Sequence, residues 1–533
     1  MPKLTIDGGE IEVEAWTTIL QAALTEGREI PHYCYHPGLS IAGNCRMCLV
    51  EVEKMPKLVI GCYTPVADGM VVHTGSEKVV KARAAMMEFF LINHPLDCPI
   101  CDQAGECRLQ EYAVEHGTGR SRYTEPKLAL AKAVDIGRHV MLDQERCIQC
   151  SRCTRFCGEV TKTGELGFFE RGERTMVGLF PGKPLDNPYS GNVVDLCPVG
   201  ALTLKEFRFE TRVWYLKNTP SVCAGCSRGC NVVVGAGTQR ERMATLGGQD
   251  RGVKRIVARA NTEVNGYWIC DEGRLSYRGL TEAPRLTTAQ APSGSPMEWE
   301  NAVAEAASPL KTAAAAGRAA ALFSPRLVSE DLFAWRLLFE RLGTVRVGVR
   351  NLLRGEDDAI LVRADKGANS AGAAWIFDRA ATESAVLDAV ARGEVDTLVV
   401  AGDPLDPKDT AALHPALRAK VTSLIFVGPF VSGAATTASV LLPTAAWSEE
   451  DGSLVNFEGR IQWLRRCQFP EGEGRPGWRV VADLGAAAGI TLPSWTSAGE
   501  VLLSLSASIP AYRGVSAEAL GLLGIPAALA ASV

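Results

Sequence analysis

Residues 146–157 read RCIQCSRCTRFC, and residues 195–202 read DLCPVGAL. A Cys-x2-Cys-x2-Cys run at Cys147, Cys150 and Cys153, completed by a distant Cys-Pro at Cys197, has the ligand spacing of a [4Fe–4S] ferredoxin-like fold. Zinc sites generally draw their thiolates from pairs, so a run of three favours iron–sulfur. Cys157 extends the run, but the second stretch offers only Cys197, too little to build another cluster. Cys157 is therefore expected to be a spare buried thiol.

Upstream of this run lie two further groups. Cys98, Cys101 and Cys107 are close enough along the chain to hold a cubane from one side of a loop, which leaves it one ligand short. His94 stands nearby, and spacing alone leaves open whether it is the fourth ligand. His32, His36, His73, His116, His139 and His414 have no such unfilled place beside them. Further back, Cys34, Cys45, Cys48 and Cys62 have the layout of a [2Fe–2S] ferredoxin with a longer first gap. Gly38 and Gly43 in that gap are expected to let backbone N–H groups approach the sulfurs. Zinc is the alternative for this set. Downstream, Cys223, Cys226, Cys230 and Cys270 form a Cys-x2-Cys-x3-Cys run with a remote fourth, again favouring a cubane over zinc. Together the four groups take His94 and every cysteine except Cys157 and Cys467.

Composition narrows the class. The chain has 533 residues, 47% hydrophobic and 22% charged, with a net charge of −5. That length implies several cores, and a mild acidic balance argues against a nucleic-acid binder. The 17 cysteines fall almost wholly in the front half. A secreted disulfide scaffold would be short and would follow an export signal, which the opening MPKLTIDGGEIEVEAW does not resemble. Between Val421 and Ser448 no residue is charged, but Gly428, Pro429, Gly433 and Pro443 break the stretch. It reads as a strand at Leu424–Val427, a loop and a second strand ending at Leu442, and not as a membrane span. The tail Ala519–Val533 is short and interrupted by Pro526.

Along the chain, Leu4, Ile6, Ile11 and Val13 alternate as strands, with a helix expected over Thr18–Glu26 and a strand at Cys48–Val52. Residues 76–93 read as an amphipathic helix with Val79, Ala82, Met86 and Phe90 on its apolar face. After the Pro/Ser/Gly boundary APRLTTAQAPSGSPMEW, Ala-rich helical runs alternate with short apolar strands such as Thr397–Val400, which indicates a largely parallel α/β domain. The expected segments are a [2Fe–2S] ferredoxin-like β-grasp (1–77), a helical [4Fe–4S] segment around Cys98, Cys101 and Cys107 (78–120), a [4Fe–4S] ferredoxin-like domain (138–215), a further [4Fe–4S] domain (216–275) and an α/β domain (276–533). No G-x-G-x-x-G opens a helix after a strand, so a dinucleotide is expected to bind elsewhere.

Three motifs in register carry a family resemblance: Pro31-His-Tyr-Cys34 through Gly43-Asn-Cys45-Arg-Met-Cys48, then Cys98-Pro-Ile-Cys101-Asp-Gln-Ala-Gly-Glu-Cys107-Arg-Leu-Gln110, then Arg146-Cys147-Ile-Gln-Cys150-Ser-Arg-Cys153. They resemble the signatures of the large iron–sulfur subunit of respiratory complex I, NADH:quinone oxidoreductase. Ala104 stands where that family usually has glycine, and Thr154 where an apolar residue is usual. The resemblance implies that His94 is a ligand, that Cys223, Cys226, Cys230 and Cys270 hold the extra cluster of some bacterial members, and that one [2Fe–2S] and three [4Fe–4S] clusters relay electrons. It implies as partners an NADH/FMN-binding subunit and downstream iron–sulfur subunits, and a peripheral place on the cytoplasmic side of the bacterial inner membrane. The segments Ala401-Gly-Asp-Pro-Leu405, Leu442-Pro443, Glu449–Ser453 and Asn456–Gln462 look like those of molybdopterin oxidoreductases in a shortened form, with no molybdenum expected. An NAD-linked molybdenum formate dehydrogenase, an iron-only hydrogenase and a zinc-stapled scaffold are the rival readings.

Overall fold

A computed structural model describes residues 1–238, 252–282, 284–378, 381–402, 418–431 and 433–527. Contacts divide the chain into two units, Met1–Tyr215 and Leu216–Val533.

In the first unit, the alternation of Leu4, Ile6, Ile11 and Val13 buries all four and sets the hairpin β1 (Lys3–Ile6) and β2 (Gly9–Glu12). The helix α1 (Ile19–Thr25) starts at a capping box, in which Thr18 and Gln21 each satisfy the other's backbone N–H. Ile19 and Leu20 on its inner face have no exposed surface, and burying each contributes about 1.5–3 kcal/mol. The strands β3 (Leu49–Val52), β4 (Val59–Ile60) and β5 (Met70–His73) complete a five-stranded sheet in the order β2-β1-β5-β3-β4, with β1 and β5 parallel.

Next comes α2 (Glu77–Leu91), capped by Ser76. Its buried residues are Val79, Arg83 and Met87, so the inward face is turned from the expected Ala82, Met86 and Phe90, which are half-buried. Arg83 can face inward because its guanidinium donates to Leu49 O at 3.3 Å, and Met87 receives the Tyr33 hydroxyl at 3.4 Å. After α3 (Arg108–His116) the chain forms β6 (Val134–Asp135), β7 (Val140–Leu142), the short α4 (Arg152–Arg155), the hairpin β8 (Leu166–Phe169) and β9 (Met176–Leu179), α5 (Asn192–Leu196) and β10 (Leu202–Leu204). β10, β7 and β6 pair in that order.

The second unit opens with a meander, β11 (Leu216–Val222), β12 (Asn231–Gly237) and β13 (Val253–Ala258). Its centre is a five-stranded parallel sheet of β14 (Ala319–Phe323), β15 (Val345–Val349), β16 (Thr397–Ala401), β17 (Ser423–Gly428) and β18 (Val440–Pro443), in the order β15-β14-β16-β17-β18. Alternate residues feed two cores. Ala321, Val399 and Ile425 face the helices Trp299–Ala315 and Ser329–Leu342, while Leu322, Leu398 and Phe426 face Glu383–Ala391. Because both faces are covered, the inner strands are almost wholly apolar, whereas the edge strand β15 carries the exposed Arg346. The uncharged stretch from Val421 is thus β17 and β18, and no helix among the described residues is long and apolar enough to cross a membrane.

Candidate functional site

Cys34, Cys45, Cys48 and Cys62 are all buried, Cys48 and Cys62 in the core of the ferredoxin-like sheet and helix, Cys34 and Cys45 in the neighbouring core with Tyr33 and Met47. Hydrogen bonds from the Cys45 and Cys62 thiols pull the Cys34 pKa down, and one from Cys62 does the same to Cys48. The donors Cys45 and Cys62 are pushed up in return. Backbone amides add to this: Tyr33 N–H reaches Cys45 Sγ at 3.5 Å, Cys62 N–H reaches Cys48 Sγ at 3.4 Å, and the Asn44 and Cys45 amides act on Cys34. Gly43 contributes through its left-handed turn, φ 60°, which aims those two amides. Gly38 corrects the sequence expectation, because its N–H goes to His36 Nδ1 at 3.1 Å.

Cys98 sits in the 3-10 turn Cys98–Ile100, and Cys107 precedes α3. Cys98 and Cys101 act electrostatically on Cys107, and burial pushes Cys101 and Cys107 up. His94 Nδ1 is buried without a partner. Burial lowers the His94 pKa to about 4, so the ring is neutral, the form in which imidazole binds metal. Arg146 acts on both His94 and Cys101 and is anchored by Asp97 at 2.6 Å. A Cβ on Gly200 would stand 2.4 Å from Cys101 Sγ, so the Cys197-Pro-Val-Gly turn of one group abuts a thiol of another.

Cys147, Cys150, Cys153 and Cys197 line one small cavity. Burial pushes all four thiols up, Cys147 and Cys197 to about 12. Gln149 and Ser151 take left-handed conformations, φ 55° and 64°, at a cost of roughly 1–2 kcal/mol each for a residue with a Cβ. The bend places the Gln149 N–H 3.4 Å from Cys147 Sγ. In the second unit, Cys223 ends β11, Cys230 precedes β12, and Cys270 caps the helix Asp271–Leu275. Cys226 and Cys270 act on Cys223, and all three act on Cys230. Gly225 and Gly273 donate N–H bonds to Cys223 Sγ and Cys270 Sγ at 3.4 and 3.3 Å. A Cβ on Gly273 would lie 3.0 Å from Cys223 Sγ.

The thiols outside these groups are engaged elsewhere. Cys157 faces Glu165, and burial raises its pKa to about 12; Cys467 Sγ donates to Arg465 O at 3.8 Å. His73 and His139 meet Glu53 and Glu206. His414 and the Asp403–Leu405 part of the molybdopterin-oxidoreductase-like segment lie outside the described residues. Among the described residues no three His, Cys, Asp or Glu groups converge as a single-ion site requires. The donor sets do fit iron–sulfur clusters in kind: soft thiols, an unpartnered imidazole, and amides aimed at sulfur. Sequence reasoning missed Gly200 and Gly273, whose only local signal is a glycine three residues after a ligand cysteine. It also missed Arg152 and Arg155, which carry no local signal.

Family descriptions match in the same order: a 2Fe-2S iron-sulfur cluster binding domain at residues 2–77, an NADH-ubiquinone oxidoreductase-G iron-sulfur binding region at 83–122, a ferredoxin-like domain of NADH-quinone oxidoreductase subunit 3 at 137–203, and molybdopterin oxidoreductase at 366–487. The 78 kDa subunit of mitochondrial NADH-ubiquinone oxidoreductase from Neurospora crassa is 31% identical over 92% of this chain and 81% of its own. The chain belongs to that family, the 78 kDa-type subunits of NADH-quinone oxidoreductases. The corresponding NADH-quinone oxidoreductase subunits from Rickettsia felis and Streptomyces coelicolor are each 42% identical, over 64% and 62% of the chain. The chain spans half or less of those bacterial relatives, 50% and 38% of their lengths. The expected family and the order of ferredoxin-like front and molybdopterin-oxidoreductase-like back are borne out.

Proposed function

We propose that this member of the family is the iron–sulfur electron-transfer subunit of an NADH:quinone oxidoreductase. It takes electrons from an NADH- and FMN-binding partner and passes them to downstream iron–sulfur subunits toward quinone. The proposed ligand sets are Cys34, Cys45, Cys48 and Cys62 for one [2Fe–2S] cluster, and His94 with Cys98, Cys101 and Cys107, Cys147 with Cys150, Cys153 and Cys197, and Cys223 with Cys226, Cys230 and Cys270 for three [4Fe–4S] clusters. When bound, these clusters supply one-electron transfer at potentials set by ligand type, hydrogen bonds and burial.

The observation that carries the reading is one shared core in the first unit. Cys34, Cys45 and Cys150 are buried in it beside Tyr33, Met47 and Val199, with Cys107, Cys147 and Cys197 packed at its margin. Three donor sets from separate stretches meet there, which suits a relay and is more than a structural staple needs. The protein's own part is to hold the sulfurs, aim amides at them and exclude water; no side chain has to act as acid, base or nucleophile. The engagement of Cys467 with Arg465 O supports a back domain that acts as scaffold without molybdenum. A peripheral position on the cytoplasmic face of a bacterial inner membrane follows from the same assignment.

The test is metal and sulfide analysis with low-temperature EPR of the reduced chain. The expected result is iron and sulfide at the four-cluster level, one [2Fe–2S] and three [4Fe–4S] signals, and neither molybdenum nor stoichiometric zinc. Zinc in place of iron would overturn the reading in favour of a scaffold. Stoichiometric molybdenum would overturn it in favour of a formate dehydrogenase-type subunit.

A further inference from the structure

Arg152 stands between two donor sets that come from different parts of the chain. On α4 it separates Cys150 from Cys153, and it lines the cavity those thiols share with Cys147 and Cys197. Its Nη1 donates to Leu196 O at 3.1 Å, the carbonyl preceding Cys197. Its Nη2 donates to Tyr35 O at 2.5 Å, the carbonyl following Cys34. One terminal nitrogen is thus tied to each site, and the guanidinium cannot leave either without losing a bond. The third nitrogen, Nε, is buried without a partner.

A cation in such a place needs compensating negative charge. Burial works against the charge on Arg152 and lowers its pKa, and the thiols of Cys150, Cys197, Cys34 and Cys45, two from each site, act in its favour. Neighbouring Arg155 adds positive charge to the same region, acting on Cys150 and donating to Cys34 O, but its other nitrogens go to Ser151 Oγ and Ser40 O and none reaches the Cys197 stretch.

We propose that Arg152 is the shared counter-charge of the Cys34/Cys45/Cys48/Cys62 and Cys147/Cys150/Cys153/Cys197 sites, a positioning residue that favours the reduced state of both at once. The inference rests on the ligand reading above. A fixed positive charge between two electron carriers makes both easier to reduce without opening a gap between them.

The test is EPR-monitored redox titration of the full, iron-loaded chain as parent, Arg152→Lys and Arg152→Gln. In Arg152→Gln both reduction equilibria should move about tenfold toward the oxidised form, 59 mV downward for a one-electron couple. In Arg152→Lys, which keeps the charge, both should stay close to the parent, and the His94 site should not move in either variant. Unmoved midpoints in Arg152→Gln, a shift or loss at only one of the two sites, or an equal fall in Arg152→Lys would overturn the inference. If Arg152→Gln loses both clusters and Arg152→Lys holds both, the charge itself is required and the inference stands. Loss of both clusters in both variants assigns the residue to shape and overturns it. A parent without the two signals refutes the ligand reading instead, so the two failures are told apart.

Discussion

Gly200→Ala tests whether the second site depends on the turn that closes the third. The added Cβ would meet Cys101 Sγ at 2.4 Å and Gln103 Cβ at 3.2 Å, where ordinary contact begins at 3.4 Å. Relief by sulfur movement alone requires about 1 Å, several times the ~0.2 Å tolerance of a metal–ligand distance. Relief by backbone movement brings the usual overpacking cost of about 1–3 kcal/mol. The sulfur is the end of a short side chain and yields more easily than the closed turn, so Cys101 is displaced from its partners, while no thiol of the Cys34, Cys45, Cys48 and Cys62 set meets the added Cβ. The assay is iron and acid-labile sulfide per chain with EPR of the reduced protein. Gly158→Ala serves as control, because a Cβ there meets nothing within 4 Å. Gly200→Ala should lose the [4Fe–4S] signal of the His94 site and its four irons, with the [2Fe–2S] signal intact. Full iron with all signals present, or a loss confined to the Cys147 site, would refute the reasoning.

Four further outcomes follow from the geometry. His94→Cys should keep a [4Fe–4S] cluster at a lower midpoint in an EPR redox titration, because a thiolate replaces a neutral ring, whereas His94→Ala should lose it. Cys157→Ser should retain full iron by metal analysis, since its thiol faces Glu165, at a packing cost of about 1–2 kcal/mol; loss of a cluster would make Cys157 a ligand. The Cys223, Cys226, Cys230 and Cys270 set lies in the second unit and contributes no thiol to the core that gathers the other three, so Cys226→Ala should remove one [4Fe–4S] signal and lower stability yet leave NADH-to-quinone turnover per assembled complex nearly intact, unlike Cys150→Ala; equal loss would put the fourth site on the main path. Burial pushes Glu330 up to about 8, so as pH rises from about 4.3 to 8 the unfolded chain loses this proton, the folded chain keeps it, and stability falls. Glu330→Gln should flatten that slope in urea melts and stabilise the second unit at pH 8 on the order of a few kcal/mol.

The grouping of the cysteines was legible because each set draws on a short run, in which spacing is itself local geometry, and the fold does bring Cys147, Cys150, Cys153 and Cys197 to one cavity. Cys147, Cys150 and Cys153 could be read from one turn of chain, and the strands Thr397–Ala401 and Ser423–Gly428 from apolar runs that only two-sided burial permits. Spacing left His94 open, and its buried unpartnered nitrogen is invisible until the fold surrounds it. The inward face of α2 was misplaced because Arg83 counts as polar in any periodicity, yet its stem packs while its guanidinium finds Leu49 O. Arg152 and Gly200 were missed for a common reason. Their partners Tyr35 and Cys101 lie far away along the chain, and no local pattern records a contact made by tertiary folding.

The parallel pairing of β1 with β5 dictates when the first site can close during synthesis. The opening strand occupies the interior of the sheet, yet its neighbour on one side is the last strand to be made. Cys34, Cys45, Cys48 and Cys62 all leave the ribosome before that neighbour exists. At ~5–20 residues per second, the newborn thiols therefore spend seconds beside a half-built sheet, open to solvent and to oxidants. Arrival of Met70–His73 completes the core around Cys48 and Cys62, while Cys34 and Cys45 wait longer still, for Met87, Leu109 and Val199. Cluster insertion is thereby tied to the completion of an unrelated stretch of backbone, and a ribosomal pause before residue 70 would lengthen the exposure of every ligand of the site.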